Sequence, residues 1–253
     1  MRSLIIFTAE NNRYAIDIDK IERIMQAQTL TPQAGSSEIL DGVMSYQDNV
    51  VKIVNFRKII GLKKFETLLV GQFDAFKDGH KEWINELLNL VKSDDEFANT
   101  TDTLKCDLGQ WLDSYRPYDP EIEKIYTELF HLHREFHEAI IEVFEKKKRS
   151  IEEALEWVNG NLVKKYDTIM KYLDFMQKNM DKVALSLQKY LLYKEGQNLF
   201  GIKVDDVEDI VHIDEEIIQG AKSDHGILSV DGVAEINGAL VTIIGKVEIK
   251  EAA

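Results

Sequence analysis

The chain has 253 residues, of which 44% are hydrophobic and 30% are charged, and its formal net charge is −14. This size and composition fit a folded protein with one large domain or two modest ones. Because an acidic chain repels phosphate groups, we expect neither nucleic acid nor an anionic membrane surface as a partner.

The sequence has no visible signal for export or membrane insertion. Its N-terminus lacks the apolar region and cleavage site of a signal peptide, and no apolar run approaches the roughly 18 residues that span a bilayer. Cys106 is the one cysteine in the chain, so no internal disulfide can form. These features predict a cytoplasmic protein without direct membrane insertion.

The first 72 residues have the pattern of short β-strands separated by turn residues. The predicted strands are 3–7, 14–18, 42–44 and 50–54. Between the second and third of them, residues 19–26 have the pattern of one or two helical turns.

Apolar residues then recur at intervals of three and four, which predicts helices up to about residue 186. The predicted helices are 73–92, 103–115, 120–147 and 151–186. Ser150 and Glu153 have the spacing of a capping box, which places the start of the last helix at Ile151. Asn159-Gly160-Asn161 is expected to kink or interrupt that helix.

Strand patterning resumes after the helices. The predicted strands are 190–193, 199–204, 226–230, 232–236 and 240–244. Residues 195–198 are predicted to form a hairpin turn, and Asp231-Gly232 and Asn237-Gly238 are two-residue hairpin signals. Neither β-rich part has enough strands for a complete sheet, so we predict an α+β protein. In it, one β domain, 1–72 with 187–253, is interrupted by an all-α antiparallel bundle of four helices, 73–186.

Four side chains with high affinity for metal ions lie in the predicted helices: His80, Cys106, His133 and His137. His133 and His137 are four residues apart, which places both rings on one helix face. Three imidazoles and one thiolate form a complete tetrahedral ligand set for Zn²⁺. The alternative for any one of these histidines is a hydrogen-bonded core residue without a metal.

The remaining histidines and the acidic residue between the paired histidines are expected to lie away from the metal. His131 is two positions before His133 and faces the other side of the helix, and His212 and His225 are expected on the surface. Glu135 is two positions after His133, which turns it away from the ligand face. Because four protein ligands leave no open coordination position, we expect no catalytic residues and no enzymatic activity.

Cys106 is also the candidate for a sensory role. A zinc-bound thiolate remains nucleophilic and open to oxidation, and its loss would weaken the site. Two alternatives remain open at this point: the zinc is purely structural, or the protein buffers zinc.

The predicted insert resembles the chemoreceptor zinc-binding (CZB) family. That family has a first-helix His followed by Trp, a C-x-L-G-x-W-L box and a closing H-x3-H pair. The matching residues are His80 with Trp83; Cys106 with Leu108, Gly109, Trp111 and Leu112; and His133 with His137. The resemblance implies a helical bundle that binds one Zn²⁺ per chain, linked to zinc or oxidant sensing and often forming a homodimer through this module.

The β-rich parts are similar to the CheW-like chemotaxis adaptor domain. The similar segments are 7–24, 42–44, 54–57 and 200–207. The resemblance implies a pair of small five-stranded β-barrels that act as a scaffold between the cytoplasmic tips of chemoreceptors and the histidine kinase CheA. It also implies a partner-binding role for Arg57, for which the alternative is a surface residue at the end of a strand. The family's Arg-Gly-x-x-x-Pro-Val stretch is absent, because residues 46–52 read Tyr-Gln-Asp-Asn-Val-Val-Lys.

Together these observations predict a non-enzymatic chemotaxis adaptor whose output depends on zinc or oxidant at a His3Cys site. The predicted helices 73–92 and 151–186 connect directly to the β domain, so their movement would alter the adaptor surface.

Overall fold

The computed structural model describes residues 1–34, 37–93 and 102–249. The chain forms two compact units. The first contains Met1–Phe65 together with Leu187–Ala253, and the second contains Glu66–Ser186. The second unit is therefore inserted into the sequence of the first.

The first unit contains eleven strands and one short helix among the described residues. They are β1 (Arg2–Ala9), β2 (Asn12–Asp17), β3 (Ile21–Gln26), β4 (Leu40–Tyr46), β5 (Asn49–Asn55), α1 (Phe56–Ile59), β6 (Lys189–Glu195), β7 (Asn198–Val204), β8 (Asp206–Ile213), β9 (Ser223–Asp224), β10 (Leu228–Ile236) and β11 (Ala239–Val247). One sheet has the order β8-β1-β2-β11-β10-β9, and the other has the order β3-β6-β7-β5-β4.

Each sheet combines strands from before and after the insert. Strand β2 pairs in parallel with β11 in the first sheet, and β5 pairs in parallel with β7 in the second. The prediction that neither β-rich part forms a sheet by itself is therefore confirmed. The expected pair of five-stranded barrels is confirmed as two sheets, but the first has six strands. Within the described residues, the two edge strands of each sheet do not pair, so both sheets are open.

Strand β1 is buried on both faces, as its continuous apolar sequence predicts. Successive side chains point to opposite sides, so Ile5 and Phe7 join a core cluster that also contains Val54 and Leu191 from the second sheet. Leu4 and Ile6 join a separate cluster formed by the first sheet. The buried strand thus connects the two parts of the core.

Three local predictions in this unit can be compared with the structure: one is confirmed and two are wrong. Asn237-Gly238 forms the predicted hairpin between β10 and β11. Asp231-Gly232 does not end a strand, since β10 continues through it with a bulge, and a Cβ on Gly232 would lie 2.4 Å from the carbonyl oxygen of Gln219. Residues 19–26 form the strand β3 after a single 3₁₀ turn, because pairing with β6 prevails over the local helical pattern.

The second unit is helical. Its elements are α2 (Phe65–Lys92), α3 (Asp107–Ser114), α4 (Pro120–Glu138), α5 (Ile140–Lys147), α6 (Ile151–Trp157), α7 (Val163–Lys178) and α8 (Met180–Leu187). They form the four predicted helical segments. Helix α2 begins at Phe65, eight residues before the expected start.

Local sequence signals set the ends of these helices. The Ser150 hydroxyl accepts hydrogen bonds from the backbone N–H groups of Glu152 and Glu153, as the predicted N-cap requires. The expected interruption at Asn159-Gly160-Asn161 is a π-helical turn, Val158–Leu162. No helix in the described part of the chain is long and apolar enough to cross a membrane.

Candidate metal centre

His133 and His137 lie on the buried face of α4. Pro120 begins this helix, and the Asp119 carboxylate caps its first turn by accepting hydrogen bonds from the N–H groups of Glu121 and Ile122. Both histidine rings are 2% exposed, and the spacing of four residues directs them to the same point.

His80 reaches that point from the middle of α2. Its Nδ1 atom lies 2.7 Å from the carbonyl oxygen of Phe76. A carbonyl oxygen only accepts, so Nδ1 carries the proton and donates it, which leaves the lone pair on Nε2. This backbone contact fixes both the tautomer and the orientation of the ring, in the way that outer contacts orient metal-binding imidazoles.

Cys106 lies immediately before α3, at its N-cap position. A preceding 3₁₀ turn, Thr103–Lys105, places it there, and the Asp102 carboxylate accepts a hydrogen bond from the N–H of Leu104 in that turn. Gly109 makes this arrangement possible, because a Cβ on it would lie 1.8 Å from the carbonyl oxygen of Thr103 and 3.2 Å from His133 Cε1.

The structure brings the four candidate ligand atoms within 4.8 Å of one another. His133 Nε2 is 3.0 Å from His80 Nε2, and Cys106 Sγ is 3.5 Å and 3.7 Å from the Nε2 atoms of His133 and His80. Bond lengths to tetrahedral zinc imply about 3.3 Å between two nitrogen ligands and about 3.6 Å between nitrogen and sulfur. The donor set and its spacing therefore fit Zn²⁺.

Burial keeps the imidazoles in the form that binds a metal. Burial, together with the neighbouring His80 and His137, lowers the pKa of His133 to about 2. Burial also lowers the pKa of His80, against the opposite effect of its bond to Phe76. Both rings are consequently neutral near pH 7, so their lone pairs are available to a cation.

Burial changes the pKa of the Cys106 thiol in the opposite direction from that of the imidazoles. Burial raises its pKa above the ordinary cysteine value, and the backbone N–H groups of Gly109 and Leu108 oppose this increase. A divalent cation at the site would displace the thiol proton and stabilise the thiolate. Metal binding and deprotonation of Cys106 are therefore coupled.

Aromatic side chains surround the imidazoles. The ring of Trp83 lies 5.2 Å from that of His137, and the ring of Phe136 lies 6.0 Å from that of His80. This apolar surrounding restricts water and strengthens electrostatic interactions at the centre.

The other predicted polar residues lie elsewhere. His131 is exposed on α4, and His212 Nδ1 contacts the hydroxyl of Ser3 on the surface of the first unit. Glu135 is exposed and forms an ion pair with Lys165, which lowers the pKa of its carboxyl group. Among the described residues, the group with metal-ligand spacing is His80, Cys106, His133 and His137.

Arg57 lies in the first unit and is 1% exposed. Its Nε and Nη2 atoms each donate to Asp205 over 2.6 Å, and Nη1 donates to the carbonyl oxygen of Lys63. These contacts hold α1 against the end of β7. The alternative of a surface residue at a strand end is wrong, because the side chain is buried, and the partner-binding role of Arg57 stays a prediction. Asp205, which the sequence reasoning missed as its partner, lies in the similar segment 200–207.

Comparisons with known proteins agree with both parts of the sequence. Residues 3–72 match the CheW-like domain family, and residues 80–144 match the chemoreceptor zinc-binding domain family. The chemotaxis protein CheW of Thermotoga maritima is 25% identical over 101 residues, which are 38% of this chain and 67% of that protein. All four candidate ligands lie within the second matched segment.

A solved structure with similarity to the chain is the scaffolding protein TtCheW from Thermoanaerobacter tengcongensis. The match has a TM-score of 0.45 and 10% sequence identity, and it covers 97% of this chain and 89% of that chain.

The two family resemblances predicted from the sequence are confirmed by the matched segments.

Proposed function

From the premise that this chain joins a CheW-like domain to a chemoreceptor zinc-binding domain, we propose that it is a non-enzymatic chemotaxis adaptor. It acts in the cytoplasm and connects chemoreceptor tips to the histidine kinase CheA. Its insert binds one Zn²⁺ per chain through His80, Cys106, His133 and His137, and zinc occupancy or oxidation of Cys106 changes the adaptor's output.

The observation that carries this proposal is the convergence of the four side chains. They come from α2, from the N-terminus of α3 and from α4, and their ligand atoms lie within 4.8 Å of one another. Three buried imidazoles around one sulfur would be a costly arrangement for a core, because each polar ring loses its water contacts. A bound zinc ion supplies positive charge that compensates this cost and keeps the sulfur deprotonated.

The adaptor role is supported by the matched segment 3–72 and by the relative from Thermotoga maritima, which is named as a chemotaxis protein.

The chain differs from the family at residues 46–52, where Gln47 and Asp48 adopt left-handed backbone conformations in a tight turn between β4 and β5. Val50, just after this turn, is 75% exposed. We infer that this hairpin adapts the docking surface to a particular receptor or kinase.

Metal stoichiometry tests the zinc site directly. We expect about one zinc per chain by elemental mass spectrometry of protein purified without chelators. Cys106→Ala and His137→Ala should both lower this value strongly, because each leaves an incomplete ligand set. His131→Ala, a histidine on the exposed side of the same helix, should retain the metal. An unmodified protein that holds no zinc even after reconstitution would overturn the proposed site.

The burial of the site in the helical core also favours a second candidate, in which the zinc is purely structural. A second experiment separates a sensory zinc from a structural one. Binding of CheA and of receptor fragments is measured with zinc-loaded, zinc-free and oxidised protein, at a temperature where all three are folded. A sensor should change its affinity for a partner between these states. Unchanged affinities, with only a lower melting temperature for the zinc-free form, would assign zinc a structural role.

The homodimer implied by the resemblance belongs to the same proposal. Tyr166, Tyr172 and Phe175 on α7 are half-buried within one chain, which leaves apolar surface for a second copy. Sedimentation equilibrium of the zinc-loaded protein tests this directly, and a monomer at all concentrations would contradict it.

A further inference from the structure

A cavity of about 280 Å³ opens to solvent beside the candidate metal centre. Its apolar lining includes Phe76, Trp83 and Leu108, and three of the candidate ligands reach it: His80, Cys106 and His137. The histidines are 2–3% exposed, whereas Cys106 is partly exposed. The cysteine is therefore the ligand that a molecule entering the cavity can reach most readily.

The charged residues that line this cavity are exposed or half-buried, and together we call them its rim. Glu82, Glu86 and Asp107 contribute three carboxylates, and Lys105 contributes one ammonium group. The rim is thus negative overall at neutral pH. Apolar walls around such a rim concentrate the electric field inside the opening, which raises the local concentration of cations and lowers that of anions.

We propose that this cavity is the access route to the sulfur of Cys106, and that its rim selects reactants by charge. Cations and neutral molecules reach the thiol, while anions are repelled at Glu82, Glu86 and Asp107. The selectivity would serve signalling only within the proposed function, where it admits Zn²⁺ and uncharged oxidants and rejects anionic ones.

A second cavity, of about 40 Å³, lies beside Gly109 and His133, but Cys106 is not among its described lining residues. Its volume is close to that of a single water molecule. Its charged lining residues, Asp113 and Arg134, have opposite signs, so this cavity provides neither a route to the sulfur nor a clear charge preference.

The single cysteine of the chain makes the test direct. Metal-free protein is reacted with three methanethiosulfonates that carry a trimethylammonium, an uncharged methyl or a sulfonate group. The Cys106 thiolate attacks the sulfenyl sulfur, a disulfide to Cys106 forms, the sulfur–sulfonyl bond breaks, and methanesulfinate leaves. The thiol proton passes to the buffer. Rates are divided by those of N-acetylcysteine amide with the same reagents.

The ratio of the cationic rate to the anionic rate is the decisive quantity, because the fraction of thiolate cancels in it. We expect this ratio to exceed the reference thiol's by about tenfold at low salt. Glu82→Gln and Asp107→Asn should each lower it several-fold. Glu66→Gln is the matched control, since it removes the same charge about 24 Å from Glu82 along the same helix and should lower the ratio far less.

Salt provides a second measurement that needs no variant. Raising the ionic strength to about 0.5 M should bring the ratio in the unmodified protein close to that of the reference thiol. A ratio equal to the reference at low salt, or one insensitive to Glu82 and Asp107, would overturn the inference. A preference for the anionic reagent would also overturn it.

Zinc stoichiometry measured in parallel distinguishes the two proposals. Charge selection at Cys106 without zinc binding would refute the metal site and support the access route. One zinc per chain without charge selection would support the metal site and refute the access route.

Discussion

At the scale of single residues, Gly109 shows how tightly the sequence constrains the candidate centre. It lies in the first turn of α3, where its Cα approaches both the carbonyl oxygen of Thr103 and the ring of His133. A side chain at this position would have to displace either the turn that positions Cys106 or a ligand ring. The glycine of the C-x-L-G box therefore shapes the candidate metal site without being one of its ligands.

We expect Gly109→Ala to weaken zinc binding at least tenfold and to lower the free energy of unfolding by about 1–3 kcal/mol, the usual cost of overpacking. Competition with a chromogenic chelator measures the affinity, and urea denaturation measures the stability. Gly71→Ala is the control, because a Cβ there meets nothing within 4 Å in the middle of α2. That variant should keep its zinc and gain about 0.5–1 kcal/mol. Equal zinc affinity in the two variants would contradict the role of Gly109.

Asp41 provides a pH-dependent test in the β-rich unit. Burial by itself raises the pKa of this carboxyl group, but the ammonium groups of Lys203 and Lys58 more than reverse the effect, so the pKa lies below its ordinary value. The Asp41 carboxylate is 3.1 Å from Lys203 Nζ and 2.8 Å from Lys58 Nζ. A depressed pKa in the folded state means that the charged form stabilises the fold.

We therefore expect Asp41→Asn to destabilise the protein at pH 7, with a difference that stays constant down to about pH 4, the ordinary value for aspartate. Below that, the difference should shrink, because the unfolded protein takes up a proton at Asp41 that the folded protein takes up only at lower pH. Urea denaturation between pH 7 and pH 3 measures it. Asp113→Asn, an exposed carboxylate on α3, should change stability by less than about 0.5 kcal/mol. A difference that grows on acidification would reverse the assigned sign.

At the scale of elements, helix α3 connects the candidate metal centre to the end of the insert. Cys106 lies at its start, and Trp111 and Tyr115 stack at 4.3 Å at its other end. Just beyond, the backbone N–H of Tyr118 donates to the hydroxyl of Ser186, the last residue of the helical unit. A displacement of Cys106 would thus be carried along one rigid helix toward the point where the chain leaves the insert.

Ser186→Ala tests this connection. Loss of the acceptor for the Tyr118 N–H should cost about 1 kcal/mol and increase hydrogen exchange in α8, while zinc affinity stays unchanged. Zinc removal should change hydrogen exchange at 186–190 in the unmodified protein and less in the variant. Ser114→Ala, which removes a bond within α3 itself, is the control. If zinc removal changes hydrogen exchange at 186–190 equally in the unmodified protein and in Ser186→Ala, α3 is not the connection.

The helical elements were predictable because their signals are local. The apolar spacing, the Ser150 cap and the breaking sequence at 159–161 each act within a few residues, and the structure has the corresponding helix, N-cap and π-turn. Strand β3 was not predictable in the same way, since its conformation depends on pairing with β6, more than 160 residues later. Strand β8 also escaped prediction, because its exposed sequence lacks apolar alternation.

The candidate site was predictable for a different reason. Its residues belong to chemical types that rarely occur together, so their identity and order carried the prediction without a three-dimensional structure. The supporting contacts did not follow from the sequence. The close approach at Gly109 and the pairing of Arg57 with Asp205 depend on packing between distant segments. The contact of Lys147 Nζ at the end of α5, which donates to the carbonyl oxygen of Leu90 in α2, depends on packing in the same way.

At the scale of the whole molecule, the insertion makes the stability of the first unit depend on the second unit more than the reverse. Both sheets of the first unit need strands from before and after the insert. A folded insert fixes the separation of its own two ends. An unfolded one leaves a flexible loop of about 120 residues, and closing such a loop costs about 5 kcal/mol. The first unit therefore depends on the fold of the second, while the helical unit has no comparable dependence on the sheets.

This asymmetry predicts different results for defects in the two units. Zinc-free His137→Ala, in mild urea that unfolds the helices, should lose hydrogen-exchange protection in β6 and β7 as well, although no residue there has changed. Arg57→Ala removes the two-pronged contact with Asp205, and removing one partner of a buried ion pair costs about 3–5 kcal/mol. It should release the sheets while α4 and α7 remain protected. Loss of protection in both units at the same urea concentration for both variants would show that the molecule unfolds as one cooperative body.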